Sequence, residues 1–208
     1  MWIIYLTIEI LMLVIFILMK IFGVEGMVVD IIKILPIGFN LIFTLGKKGM
    51  LKNALIFTLI ADCCFLLEKN ALWGIAFFVV VQFYYYFYLE EFDFKILLMC
   101  LINFLFVIFF KESVLIVEAF IYAFMFCLNL VILKRKLKNN DKLFIFNYVL
   151  LFLLGCDCFV LIQYLFGFSK WVEGIIEVVE WTFYLTSQIM LVSILYFKNK
   201  TIVKESKQ

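Results

Sequence analysis

Asn53-Ala54-Leu55-Ile56-Phe57-Thr58-Leu59-Ile60-Ala61-Asp62-Cys63-Cys64-Phe65-Leu66-Leu67 lies between Lys52 and Glu68. It reads as an apolar helix with one carboxylate near its end. A carboxylate in such a run has little water around it. Burying it is unfavourable by several kcal/mol or more unless it is paired, hydrated or neutralised. A similar setting recurs further on, in Gly155-Cys156-Asp157-Cys158-Phe159-Val160-Leu161. Asp62 and Asp157 are thus two aspartates in apolar helices, a pattern that marks a functional site when the helices cross a membrane. The plainer reading is two polar groups that hold helices together.

Composition says that they do cross one. The 208 residues are 67% apolar, and the mean hydropathy is +1.16. A soluble domain of this length has too much surface to hide that much apolar side chain. One Pro in the chain and long unbroken apolar runs indicate helices. A membrane barrel would instead show alternating segments of about ten residues. Six Cys and no His are present. Every Cys falls inside an apolar run, which fits helix packing better than a disulfide framework. Without His, the commonest metal ligand and the usual neutral-pH base are missing.

Eight spans are expected, at 2–22, 28–45, 53–67, 71–89, 95–110, 114–133, 143–167 and 172–197. Most approach the ~20 residues a spanning helix needs. The first has no basic residue ahead of it and no small-residue cleavage site, so it reads as a retained helix. The organisation is a single transmembrane domain over 1–197 and a polar cytoplasmic tail over 198–208. The N-terminus, alternate loops and tail on one side hold 13 Lys and Arg, against 4 on the other. That asymmetry places both termini in the cytoplasm. Asp62 and Asp157 fall in the third and seventh spans, which run the same way, so a 4+4 parallel internal repeat is conceivable on one heptapeptide of evidence.

The eighth span stacks Glu173, Glu177, Glu180, Tyr184 and Gln188 on one helical face. The second carries Lys33, Asn40 and Thr44 on one face, with Asp30 before them and Pro36 between. A polar stripe in lipid has to face the bundle interior or a water-filled cavity, and Lys33 is expected to pair with one of the carboxylates. Glu173 reads as interfacial. Glu9, in the first span, lies apart from the others, nearer the inner side.

With these residues in view, the chain resembles the lysoplasmalogenase (YhhN-type) family of membrane proteins. Lys33-Ile34-Leu35-Pro36 stands where that family has Lys-Pro-Leu-Pro. The run from Ala54 to Asp62 resembles its apolar run ending Gly-Asp. Gly74, Phe78 and Tyr85 follow at the family's spacing, Cys156-Asp157 takes the place of Ser-Asp, and Tyr184 with Gln188 matches Tyr-x-x-x-Gln. The likeness covers the second to eighth spans. Three departures stand out: Ala61 for Gly, Cys156 for Ser, and Gln82 where the family has His. Gln82 can still donate and accept hydrogen bonds, so a positioning role is open to it.

The resemblance implies cleavage of the vinyl-ether bond of lysoplasmalogens to a fatty aldehyde and a glycerophospho-base, with no cofactor and no metal. Such hydrolysis needs a proton delivered to carbon and water added to the resulting oxocarbenium ion. Two carboxylates divide comparable labour in glycosidases. Asp62 and Asp157 are the candidate catalytic pair, and which is the acid stays open. Gln82, Tyr85, Tyr184 and Gln188 are candidates for orienting water or substrate. Lys33 could meet the lipid phosphate, and Glu177 or Glu180 the head-group cation. A Lys33–carboxylate helix-pairing salt bridge serves as well for those three. The expected partners are a lysophospholipid and the bilayer, most simply the plasma membrane; nothing points to nucleic acid. The competing reading is a non-enzymatic transporter or lipid-binding protein using the same acidic cavity.

Overall fold

The computed structural model describes residues 1–90, 115–137 and 141–205. Among them are seven helices and no strand: α1 (Trp2–Ile21), α2 (Met27–Phe43), α3 (Met50–Leu66), α4 (Ala71–Leu89), α5 (Leu115–Lys136), α6 (Asp141–Leu165) and α7 (Lys170–Glu205). Each matches a span expected from hydropathy. The remaining expected span, 95–110, lies outside the described residues. Five of the seven, α1, α4, α5, α6 and α7, are long and apolar enough to cross a membrane. α2 and α3 have 17 residues each, close to the minimum for a span.

Local chemistry explains the ends. Gly26, Gly46 and Gly49, at φ 90, 83 and 140, form the turns before α2 and α3; positive φ strains any residue with a Cβ. The Asn70 side chain caps α4 by accepting from the Trp73 amide at 3.3 Å. α2 runs unbroken through Pro36. α7 continues eight residues beyond the apolar stretch that ends at Phe197, to Glu205. Polar Lys and Glu end a membrane span, yet both are good helix formers.

The helices form two compact units. Residues 1–45 and 139–208 make one, and 46–138 the other. In the first, α7 packs against α6, α1 and α2, and α1 against α2. α1 and α7 are antiparallel: Trp2 stacks on Tyr196, Phe16 meets Trp181, and Lys20 meets Glu177. In the second, α4 lies between α3 and α5. Here α4 and α5 run parallel. Gln82 bonds Asn129, and Leu89 bonds Lys136, each pair 47 residues apart.

Burial is inverted relative to a soluble protein. α1 buries Tyr5, Glu9 and Phe16, while its Ile3, Ile10, Leu11, Val14 and Ile21 are exposed. Charge turned inward and aliphatic side chains turned outward suit helices whose solvent is hydrocarbon.

Candidate functional site

The first unit assembles its site from four helices. Lys33 of α2 donates to Glu177 Oε1, and Lys20 of α1 reaches Glu177 Oε2 at 2.5 Å. One carboxylate therefore holds two ammonium groups. The three side chains are 10–24% exposed, little enough that water screens them weakly. Both ammonium groups also lie near the face of Phe16, at 5.9 and 5.4 Å from the ring centroid. Phe16 is fully buried and meets Trp181 edge-on at 6.0 Å; Trp181 packs in turn on Tyr184 at 5.1 Å. Aromatic faces carry negative potential, so this floor favours cations above it.

Acidic groups continue along α7. Glu180 lies within the electrostatic reach of Lys33, Glu177 and Asp157. Asp157 is presented by α6, which forms an antiparallel hairpin with α7. The hairpin closes tightly because Gly155 abuts the Phe183 ring, itself packed between Phe152 and Phe159. The result is two lysines and three carboxylates, Glu177, Glu180 and Asp157, over an aromatic base. Such a site can hold a zwitterion, with its anion toward the lysines and its cation toward the carboxylates.

The second unit has its own buried polar group. Asp62, Thr58, Gln82, Glu118 and Asn129 are at most 7% exposed, and Tyr85 is fully buried. Asn129 Nδ2 donates to the Gln82 main-chain oxygen at 2.9 Å and to Gln82 Oε1 at 3.0 Å. Gln82 is thus an acceptor in a helix-pairing bond. Asp62 lies one turn beyond Thr58 on the same face of α3.

Of the residues singled out in the sequence, Lys33, Asp157, Glu177, Glu180 and Tyr184 fall in the lysine–carboxylate group of the first unit. Gln188, also in that unit, lies one turn beyond Tyr184. Asp62, Gln82 and Tyr85 belong to the second unit. Glu173 is exposed, in keeping with an interfacial position. In the sequence Lys20 is simply a basic residue at the end of the first span; the helix geometry makes it the second cation of the site. Its position four residues after Phe16, on one face of α1, was the available signal. Asn129, one amide in an apolar run, gave a weaker one. Among the described residues no three His, Cys, Asp or Glu side chains converge as a metal site.

Fold and site together define an all-helical membrane protein with charged groups buried between its helices. The chain matches no protein-family model, no curated protein and no solved structure.

Proposed function

We propose that this protein is an intramembrane hydrolase that cleaves the vinyl-ether bond of lysoplasmalogens, with Asp62 and Asp157 as general acid and base and without a cofactor. One carboxyl protonates the vinyl carbon remote from oxygen. The other stabilises the oxocarbenium ion and takes a proton from the attacking water. The hemiacetal then collapses to fatty aldehyde and glycerophospho-base, so the net reaction consumes one water. The observation that carries this reading is the pairing of Lys20 and Lys33 on Glu177 beside Glu180 and Asp157. A lysophospholipid head group is itself a zwitterion. Its phosphate matches the two lysines, its ammonium matches Glu180, and its chain needs the apolar surroundings these helices supply. Tyr184 and Gln188 of α7, and Gln82 and Tyr85 of α4, take orienting roles.

The reading includes eight spans, arranged as 4+4, in the plasma membrane, with both termini cytoplasmic. Residues 95–110 are apolar enough to make the eighth.

The test is purified protein in micelles with a lysoplasmalogen, assayed for aldehyde, alongside Asp62→Asn and Asp157→Asn. Loss of activity in both variants is expected. Aldehyde production unchanged in both removes the assigned roles. A second reading, a non-enzymatic transporter or lipid-binding protein, is favoured by one observation: Glu9, fully buried in α1, extends the charged series away from the lysines. Lipid binding without aldehyde from wild-type protein selects it.

A further inference from the structure

α1, α2 and α7 share a second polar level, of which the hydrolase reading uses Gln188 alone. The antiparallel register of α1 and α7, set by Trp2 on Tyr196, Phe16 on Trp181 and Lys20 on Glu177, brings Glu9 level with Gln188. Tyr5, one turn before Glu9 on the same face of α1, donates its hydroxyl hydrogen bond to Asn40 Oδ1 of α2 at 2.5 Å. Glu9 and Asn40 are 0% exposed and Gln188 is 1% exposed. Part of their hydrogen-bonding capacity is nevertheless unspent. Among the described residues, both Glu9 oxygens, Gln188 Oε1 and Asn40 Nδ2 have no hydrogen-bond partner. Three of these four atoms are acceptors.

Among the described residues of these three helices, no Lys or Arg is placed to answer them. Lys20 is the basic residue of α1 and Lys33 that of α2, and both are committed to Glu177. Lys20 lies eleven residues from Glu9, about 16 Å along the helix. α7 has no Lys or Arg between Trp181 and Phe197. Besides Glu9, the titratable side chains of these helices up to Phe197 are Tyr5, Tyr184 and Tyr196, with Lys20, Asp30, Lys33, Lys170, Glu173, Glu177 and Glu180 further off, and none of the lysines stands at this level. Rings crowd the side of Glu9 toward the start of α1: Tyr5 stacks on Phe43 at 4.4 Å, and Trp2 stacks on Tyr196 at 5.3 Å. An ionised carboxylate held there without a counter-charge is strongly unfavourable.

We propose that Glu9 anchors a monovalent-cation site, with Gln188 Oε1 as a second oxygen ligand and Tyr5 and Asn40 fixing its third wall. The cation is a sodium ion or a proton. One carboxylate matches one positive charge, its oxygens are hard ligands of the kind alkali ions take, and a multiply charged ion has no matching ligand set among the described residues. The proposal does not depend on the hydrolase reading, since its anchor, Glu9, has no part in that reaction.

The experiment follows thermal unfolding of wild-type and Glu9→Gln protein in micelles, in sodium chloride against choline chloride at equal ionic strength, over a range of pH. Binding of radiolabelled sodium and the infrared carboxyl band are read on the wild type, so a failure of the variant to fold does not blunt the test. A Tm raised several degrees by sodium, with labelled sodium bound and both effects lost in Glu9→Gln, assigns sodium. A Tm indifferent to sodium but falling as pH rises, with a carboxyl band that disappears over the same range and a flat Glu9→Gln profile, assigns the proton. A wild type indifferent to sodium and to pH overturns the proposal, as does a Glu9→Gln variant that keeps the wild-type dependence.

Discussion

Replacing Glu177 by Gln should destabilise the first unit out of proportion to the loss of one surface charge. The substitution keeps the shape of the side chain and removes its charge. Lys20 and Lys33, which both end on this carboxylate, then confront each other with nothing between them. Removing one partner of a buried pair costs about 3–5 kcal/mol. Glu177 is 24% exposed, so the lower end applies, about 3 kcal/mol. For a chain of 208 residues, each kcal/mol moves Tm by about 2–4 °C, which gives a fall of about 6–12 °C. Glu177→Gln, Lys20→Gln and the double variant, melted in the same detergent, form a cycle. The double variant should be more stable than Glu177→Gln alone, because it relieves the repulsion between the ammonium groups. A Glu177→Gln protein that melts with the wild type, or a double variant equal to the sum of the singles within about 0.5 kcal/mol, would refute the idea of a shared counter-ion.

Gly155→Ala directs a methyl group into the Phe183 ring, which Phe152 and Phe159 keep from swinging aside. Overpacking of that kind costs about 1–3 kcal/mol, and Phe183→Leu in the same chain should recover part of the lost Tm. Asn129→Ala removes both bonds to Gln82 and leaves buried acceptors unanswered, at about 1–3 kcal/mol. An unfolding midpoint equal to wild type would mean that water replaces the amide.

The helices were legible because hydrocarbon imposes a simple rule on sequence: a span must be long and apolar, and its neighbours must not be. The α4 limits, Ala71–Leu89, coincide with the expected 71–89. The last span ends at Phe197 as expected, while the helix continues to Glu205, since hydropathy marks where lipid stops and not where helical hydrogen bonding stops. The stripe on α7 was legible too, and Lys33 meets one of its glutamates, as its place among carboxylates suggested. Lys20 was not, because a lysine at the edge of a span looks the same whether it reaches water or folds back onto a buried acid. Nor was the grouping of helices. α1 and α2 join α6 and α7 across the whole intervening chain, and apolar periodicity says nothing about which helices become neighbours. Asn129 shows the same limit, since its partner Gln82 lies on another helix.

The parallel fit of α4 and α5 also puts a clock on biosynthesis. Asn129 is made 47 residues after Gln82. At ribosomal speeds of about 5–20 residues per second, α4 waits roughly 2–10 s for its permanent neighbour. Until then the Gln82 amide has to be accommodated by α3, by the insertion machinery or by lipid head groups. Slowing translation between the codons for these two residues should therefore lengthen the period in which the nascent chain is open to membrane proteases, whereas a pause after Lys136 should not.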